Sequence, residues 1–288
     1  MISALRPKQW TKNLFVFAGL IFALKFFEAA LLLKTVQAFL IFCFLSSAVY
    51  LINDLQDRSS DRKHPTKKFR PIAAGKIKPW QAWSLAAILA VGSLLAAYYL
   101  DWAFALVAAA YFILMIAYTY GLRQIVILDI FAIAAGFVLR AIAGVVLIRV
   151  ELSPWLVICT ILLALFIALG KRRHELVTLS ATAGAHRRIL EEYNPQLLDQ
   201  LISVVTGSMV MAYTLYTLWP ETIAKFGTPK LVYSVPFVLY GIFRYLYLIY
   251  RQEKGGQPEE LLLTDLPLLL SIIGWLGSLL AIIYWWRG

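Results

Sequence analysis

Apolar positions along the chain run in stretches long enough, or nearly so, for the roughly 20 residues that a membrane-crossing helix needs. They lie near residues 14–33, 35–53, 80–99, 102–120, 126–148, 154–170, 197–218, 231–250 and 266–286. The pattern predicts an all-α polytopic membrane protein of nine helices. The first segment is interrupted by Lys25 and Glu28, and is expected to end early or to tilt so that those side chains reach the interface. The lead MISALRPKQWTKN is too polar for a signal peptide and is expected to stay on the chain.

Composition agrees with this pattern and excludes other classes. Hydrophobic residues make up 61% of the 288 positions and charged residues only 15%, where soluble domains carry about 25%. The net charge of +11 would suggest nucleic acid in a soluble protein, but so apolar a chain has too little polar surface for that partner. Most of the 27 Lys and Arg lie in the lead and in alternate connections, whereas the opposite connections hold Lys25, Lys34, Arg149, Lys225, Lys230 and Arg287. The positive-inside rule therefore puts the N-terminus and the loops 54–79, 171–196 and 251–265 in the cytoplasm. One domain over 1–288 is expected, with its polar chemistry on those loops. The charged loops after the second and sixth segments also hint at two four-helix halves plus a ninth helix. Cys43 and Cys159 have neither metal-ligand spacing nor a disulfide pattern.

The densest local signal is SSAVYLINDLQDRSSDRKHPTKKFRPIAAG. If the second helix continues past Ile52, then Asn53, Asp57 and Asp61 stand at i, i+4 and i+8, and Asp54 shares or borders their face. Three acids so placed repel one another unless a divalent cation such as Mg²⁺ bridges them. The alternative is a solvated helix end in which Arg58 and Arg62 neutralise the acids locally. His64, Lys67, Lys68 and Arg70 follow in a basic loop that can hold phosphates or simply contact anionic lipid. His64 can donate to a phosphate or cap the local backbone.

A second charged cluster, KRRHEL, begins after Gly170 on the same side, and the two are expected to face one cavity. Lys171, Arg172 and Arg173 bring positive charge, while Glu175 can pair within its helix or join a metal shell. Asp199 reads as the acid of a first helical turn. Asp129, Arg140 and Arg244 fall within spans and should face the bundle interior, where ion pairing between helices is the ordinary explanation. Tyr118 and Arg123 flank the turn near residue 121 and can reach the same opening. RQEKGGQPEELLLTDLP is either a small lid or a connector.

These residues resemble the UbiA-type membrane prenyltransferase superfamily, whose first signature, Asn-x-x-x-Asp-x-x-x-Asp, is matched at Asn53, Asp57 and Asp61. RPKQWTKNLFVFAG, GKRRHEL, LLDQLISVVTGSMVMAYTLYT and GGQPEELLLTD are similar to its phosphoribosyltransferase branch, which acts on decaprenyl phosphate. The resemblance implies a UbiA-like helix bundle around a lipid-open cavity in the bacterial inner membrane, Mg²⁺ dependence, and 5-phosphoribosyl-1-diphosphate and polyprenyl phosphate as substrates. Their product would serve arabinan-type cell-envelope precursors. It further implies Asn53, Asp54, Asp57 and Asp61 as the metal site. Lys171 then takes a catalytic role, and Arg58, His64, Lys67, Lys68, Arg70, Arg172, Arg173 and Glu175 bind substrate. Tyr118, Arg123 and Asp129 shape the ribose pocket. Where aromatic prenyltransferases carry a second Asp-x-x-x-Asp, this chain has KRRHE, which favours a sugar phosphate over a prenyl diphosphate. A prenyl transferase acting on a small acceptor and an anion transporter are the alternatives. A transporter predicts charge near the midplane, whereas here the charge crowds one end. The resemblance also allows a homo-oligomer, a trimer among them, with the small-residue face at 132–136 available for contact.

Overall fold

The computed structural model describes residues 2–64, 66–178, 188–252, 255–256 and 258–285. Among these, eight helices are long and apolar enough to cross a membrane, and no strand is present. We number their α-helical parts α1 (Ala29–Gln56), α2 (Pro79–Leu100), α3 (Trp102–Tyr120), α4 (Leu128–Leu147), α5 (Pro154–Thr178), α6 (Pro195–Leu218), α7 (Val235–Tyr250, within the span Lys230–Tyr250) and α8 (Leu266–Leu280, within the span Leu266–Trp285). The chain divides into two compact units. One holds the described residues to Leu152 with Arg188 and Ile189, and the other holds those of 153–183 and 190–288. Each unit contains four of the long helices.

The helix expected over 14–33 does not form. Pro7–Phe17 is instead a 3₁₀ helix of 11 residues, followed by an α-helical piece of 5 residues, Ala18–Phe22. Within the 3₁₀ segment the buried residues Asn13 and Val16 stand three apart, one turn of such a helix. The tighter winding also stretches the segment. At about 2.0 Å per 3₁₀ residue and 1.5 Å per α residue it extends roughly 30 Å, the hydrocarbon thickness of a bilayer. Lys25 and Glu28, the residues that interrupt the apolar run, form an ion pair in the turn that follows. α1 then starts early, at Ala29, and takes in the end of the first predicted segment with all of the second.

The N-terminal segment runs antiparallel along α1 and is fastened to it by polar contacts. Trp10 Nε1 donates to Ser47 Oγ at 3.1 Å, and Ser47 Oγ donates to the Leu5 carbonyl at 2.8 Å. Asn13 Nδ2 donates to Ser46 Oγ at 3.3 Å and approaches Cys43 Sγ at 3.4 Å. Its side-chain oxygen accepts from Arg140 Nε of α4 at 2.8 Å. Arg140 also donates to Tyr111 Oη and to the Gly136 carbonyl, both at 2.8 Å, and lies against the Tyr111 and Phe137 rings. The interior placement expected of Arg140 is therefore met, but its partners are neutral. A buried cation in a membrane bundle is costly unless its donors are used, and here neutral oxygens from three elements use them. Close backbone approach completes the crossing, because a Cβ on Gly144 would stand 1.9 Å from the Val16 carbonyl oxygen.

Apolar packing fixes the end of this unit where α1 finishes. Leu51 and Ile52 of α1 are buried with Ala4 of the lead, Ile72 and Ile77 of the following loop, and Ala82 and Ala86 of α2. This cluster pins both chain segments that flank the acidic helix end. Towards the other end, Phe42, Phe104 and Tyr111 pack at ring-centroid distances of 5.8 and 5.3 Å. By contrast Ile88, Val91 and Leu95 of α2 and Leu106 and Ile113 of α3 are exposed, as befits a surface that meets lipid.

Two further expectations change. The small-residue face at 132–136 is used within the chain, with Ala132, Ala134 and Gly136 buried and Gly136 against Met115. In the second unit, Lys171–Thr178 is not loop but the continuation of α5. An ion pair across one turn, Arg172 to Glu175 at 2.8 Å, supports that extension. Residues 179–187 lie outside the described set. Arg244 makes a two-bonded ion pair with Asp265 at 3.0 and 2.8 Å, joining α7 to the start of α8.

Candidate active site

The site begins where α1 ends. The helix stops at Gln56, Asp57 takes a non-helical conformation, and one turn, Arg58–Asp61, follows. Backbone bonds from Asp57 to Asn53 (2.9 Å) and from Asp61 to Asp57 (2.8 Å) preserve the helical pitch through the break. Two carboxyl positions result, not the single row that the spacing suggested. Asp54 and Asp61, two turns apart, share one partner: Arg70 Nη1 lies 3.1 Å from Asp54 Oδ1 and 2.6 Å from Asp61 Oδ2. Asp57 instead meets Arg123 at 2.7 Å and accepts from Asn53 Nδ2 at 3.3 Å. Arg123 also donates to the Asn53 side-chain oxygen at 3.3 Å.

The local solution, in which Arg58 and Arg62 neutralise the acids, is not adopted. Arg62 Nε donates to the Ala73 carbonyl at 3.1 Å, and Arg58 has a buried Nε with no hydrogen-bond partner among the described residues. The neutralising cations come from three distant segments: Arg6 from the lead, Arg70 from the loop, and Arg123 from the turn after α3. Arg6 bonds Asp54 Oδ1 directly and lies over the Tyr50 ring at 5.1 Å. Sequence reasoning missed this residue. No local signal marks it, because its partner lies 48 positions away in the sequence.

Asp54 and Asp61 are almost fully buried, each 3% exposed. Two carboxylates closing on one nitrogen make a position for a cation, with the guanidinium as its present occupant. Among the described residues no group of three acidic, His or Cys side chains is arranged to hold a metal ion. The donor set nevertheless suits Mg²⁺, which commonly takes one or two protein carboxylates and completes its octahedron with water and phosphate oxygens. Asp54 and Asp61 would hold it, with Asp57 and Asn53 beside them.

The other expected site residues distribute as follows. His64 accepts at Nδ1 from the backbone N–H groups of Thr66 (3.2 Å) and Lys67 (3.3 Å), so it caps the loop and its Nε2 carries the proton in the neutral ring. Lys67 and Tyr118 are half-buried, Lys68 is exposed over the Phe69 ring, and Asp129 is fully buried in the first turn of α4. In the second unit Arg172 is buried against Glu175, while Lys171 is half-buried. Arg173 Nε donates to Asp199 Oδ1 at 2.6 Å. Gly255 and Gly256 of the polar connector lie on the end of α5, where a Cβ at Gly256 would stand 2.4 Å from the His174 ring. The helix expected to begin at Pro258 runs Pro258–Thr264.

A polytopic bundle with an Asn-x-x-x-Asp-x-x-x-Asp end on its first long helix, its acids wrapped by arginines, defines a class. Residues 13–263 match the UbiA prenyltransferase family, and the chain belongs to it. It is 37% identical to a decaprenyl-phosphate phosphoribosyltransferase of Mycolicibacterium smegmatis, over 99% of this chain and 92% of that protein. A decaprenyl-phosphate phosphoribosyltransferase of Corynebacterium glutamicum is 35% identical over 99% of this chain and 86% of its own length. Among solved structures, a UbiA homolog from Archaeoglobus fulgidus bound to GPP and Mg²⁺ shares the fold. It superposes with a TM-score of 0.74 at 21% identity, covering 97% of both chains.

Proposed function

We propose that the protein transfers 5-phosphoribose from 5-phosphoribosyl-1-diphosphate to a polyprenyl phosphate, as the names of its relatives indicate. The reaction takes place at the cytoplasmic face of a bacterial inner membrane, and its product feeds arabinan-type envelope precursors. The observation that carries this reading is the placement of Asp54, Asp57 and Asp61 under three arginines from distant segments. Such an arrangement is built to exchange cations and polyanions, not to solvate a helix end.

In the reaction an oxygen of the lipid phosphate attacks C1 of the ribose from the face opposite the leaving group. The C1–O bond breaks, and diphosphate departs with the electron pair. A phosphate monoester is already anionic, so the protein's task is to position the reactants and stabilise charge, with little need for a general base. Mg²⁺, when bound, neutralises the charge that develops on the departing diphosphate. Asp54 and Asp61 would hold that ion, with Asp57 and Asn53 beside them, and Arg6, Arg58, Arg70 and Arg123 offer donors to phosphate oxygens. Arg58 is well suited to this, since no carboxylate of the described residues engages it. The Nε2–H of His64 and the Lys67 and Lys68 ammonium groups add further donors, Tyr118 and Asp129 shape the ribose pocket, and Lys171 and Arg173 supply phosphate contacts in the second unit.

The test is a reconstituted assay on purified protein, with labelled phosphoribosyl diphosphate, polyprenyl phosphate, and Mg²⁺ present or withheld. Lipid-linked phosphoribose should form only with Mg²⁺. Absence of that product, or transfer from a prenyl diphosphate to 4-hydroxybenzoate in its place, would refute the assignment.

A further inference from the structure

Asp199, expected as a favourable acid of a first helical turn, is the fifth residue of α6 and lies beyond that turn. Its contacts show more. Asp199 Oδ1 accepts from Arg173 Nε of α5 at 2.6 Å and from Tyr250 Oη of α7 at 3.0 Å. The Tyr250 ring in turn lies under the Arg173 guanidinium, 4.2 Å from ring centroid to Cζ. One guanidinium is thus fixed by three helices of the same unit: its plane by the tyrosine face, its rotation by the aspartate.

What this leaves open is chemically specific. A guanidinium has five N–H donors, and Asp199 is bonded at Nε. No carboxylate of the described residues engages the terminal edge, Nη1 with Nη2, and the Arg173 side chain is 15% exposed. Two parallel donors at that spacing match two oxygens of a phosphate, the bidentate geometry for which arginine is preferred to lysine. The neighbouring Arg172 contrasts with it, since Arg172 is 3% exposed and turned onto Glu175. Of the two arginines, only Arg173 is both held and open.

We propose that Asp199 and Tyr250 are positioning residues that aim the terminal edge of Arg173 at a phosphate monoester. Both proposed substrates carry this chemistry, one as the 5-phosphate of the sugar donor and the other as the phosphate of the lipid acceptor. The inference rests on the phosphoribosyl-transfer reading for its substrates, but the fork can be tested without turnover.

Binding of ribose 5-phosphate, farnesyl phosphate and unphosphorylated ribose to the full-length protein in detergent would be measured by calorimetry, and the thermal midpoint of every variant recorded. Arg173→Met should weaken one of the two monoesters about tenfold or more, and which one it weakens identifies the source. Asp199→Ala should weaken the same ligand, whereas Asp199→Asn, which keeps an oxygen acceptor for Nε, should restore binding to within about threefold. Tyr250→Phe, which keeps the stacked ring, should bind like the wild type, and Tyr250→Ala should not. In turnover assays the Asp199→Ala variant should show a raised KM for the affected substrate and little change in kcat. The proposal is overturned if wild type binds neither monoester, if Arg173→Met binds both normally, or if Asp199→Asn loses as much as Asp199→Ala at an unchanged thermal midpoint. Failure of wild-type turnover together with Arg173-dependent monoester binding would remove the phosphoribosyl reading and leave the fork standing. Normal turnover with unaltered KM in the variants would do the reverse.

Discussion

Arg140 donates through Nε to the side-chain oxygen of Asn13 at 2.8 Å, across 127 residues of sequence and inside the helix bundle. With those to Tyr111 and the Gly136 carbonyl, this bond engages each of the three guanidinium nitrogens of a charge that could not otherwise be kept in hydrocarbon. Arg140→Met should therefore strand the Asn13 oxygen and the Tyr111 hydroxyl. The expected loss is about 2–4 kcal/mol of stability, read as a lower thermal midpoint in detergent. Adding Asn13→Leu should recover part of it, because removing both partners of a buried polar pair is milder than removing one. If the double variant is less stable than Arg140→Met by the full cost of a second lesion, the pair is not coupled.

For the acid cluster, Asp57→Asn and Asp61→Asn should each slow transfer by roughly 100-fold or more, the usual scale for losing a group that acts on transition-state charge. Arg62→Met is the matched control. It removes a cation from the same loop, but one bonded among the described residues to the Ala73 carbonyl alone, so its rate should stay within about threefold of wild type. Equal effects from acid and control variants would mean that the cluster's charge, not its geometry, matters.

The crossing of the N-terminal segment over α4 leaves no room for a side chain. Gly144→Ala places a carbon where the Val16 carbonyl already lies, and overpacking of this kind costs roughly 1–3 kcal/mol. Gly92, with nothing within 4 Å of its Cβ position, is the comparison site, where alanine should be neutral or stabilising. Thermal midpoints of the two variants, measured side by side, decide the matter.

At the opposite face, Asp101 caps α3 by accepting from Phe104 N at 3.0 Å and Ala103 N at 2.9 Å. The Phe104 N–H above all, aided by the Ala103 N–H and by Arg149 and opposed by burial, holds this carboxyl below its ordinary value. A depressed folded-state value means that the cap stabilises fully above the unfolded carboxyl range and loses its effect as pH falls through the folded value. Asp101→Ala should cost about 1 kcal/mol at neutral pH, and the gap from wild type should close below roughly pH 4. A gap that stays constant down to pH 3 would show that the charge plays no part.

How much of this was legible in advance depended on how far apart the interacting residues stand. The long helices and the acid cluster could be read because hydropathy and the i, i+4 spacing are local. The first segment was misread because a 20-residue window cannot distinguish a 3₁₀ helix from an α-helix. Arg6 was invisible as a site residue, since its partner lies 48 positions away and nothing in the lead points to it. Asp199 was read as a helix-start acid for the same reason, with Arg173 26 positions distant. The charged end of α5 was assigned to a loop because polarity was taken for irregularity, whereas the Arg172–Glu175 pair extends the helix instead.

The arginine wrapping of Asp54, Asp57 and Asp61 has a thermodynamic consequence for how the reactants arrive. Free Mg²⁺ must displace guanidinium groups that gain no new partner in exchange, so on its own it should bind weakly and a chelator should leave the fold intact. Diphosphate changes the balance by offering those same groups oxygens to turn to. Ion and sugar diphosphate should then load as a single cooperative unit. Mn²⁺ affinity measured with and without diphosphate will show whether each strengthens the other by the same factor, as reciprocal linkage requires.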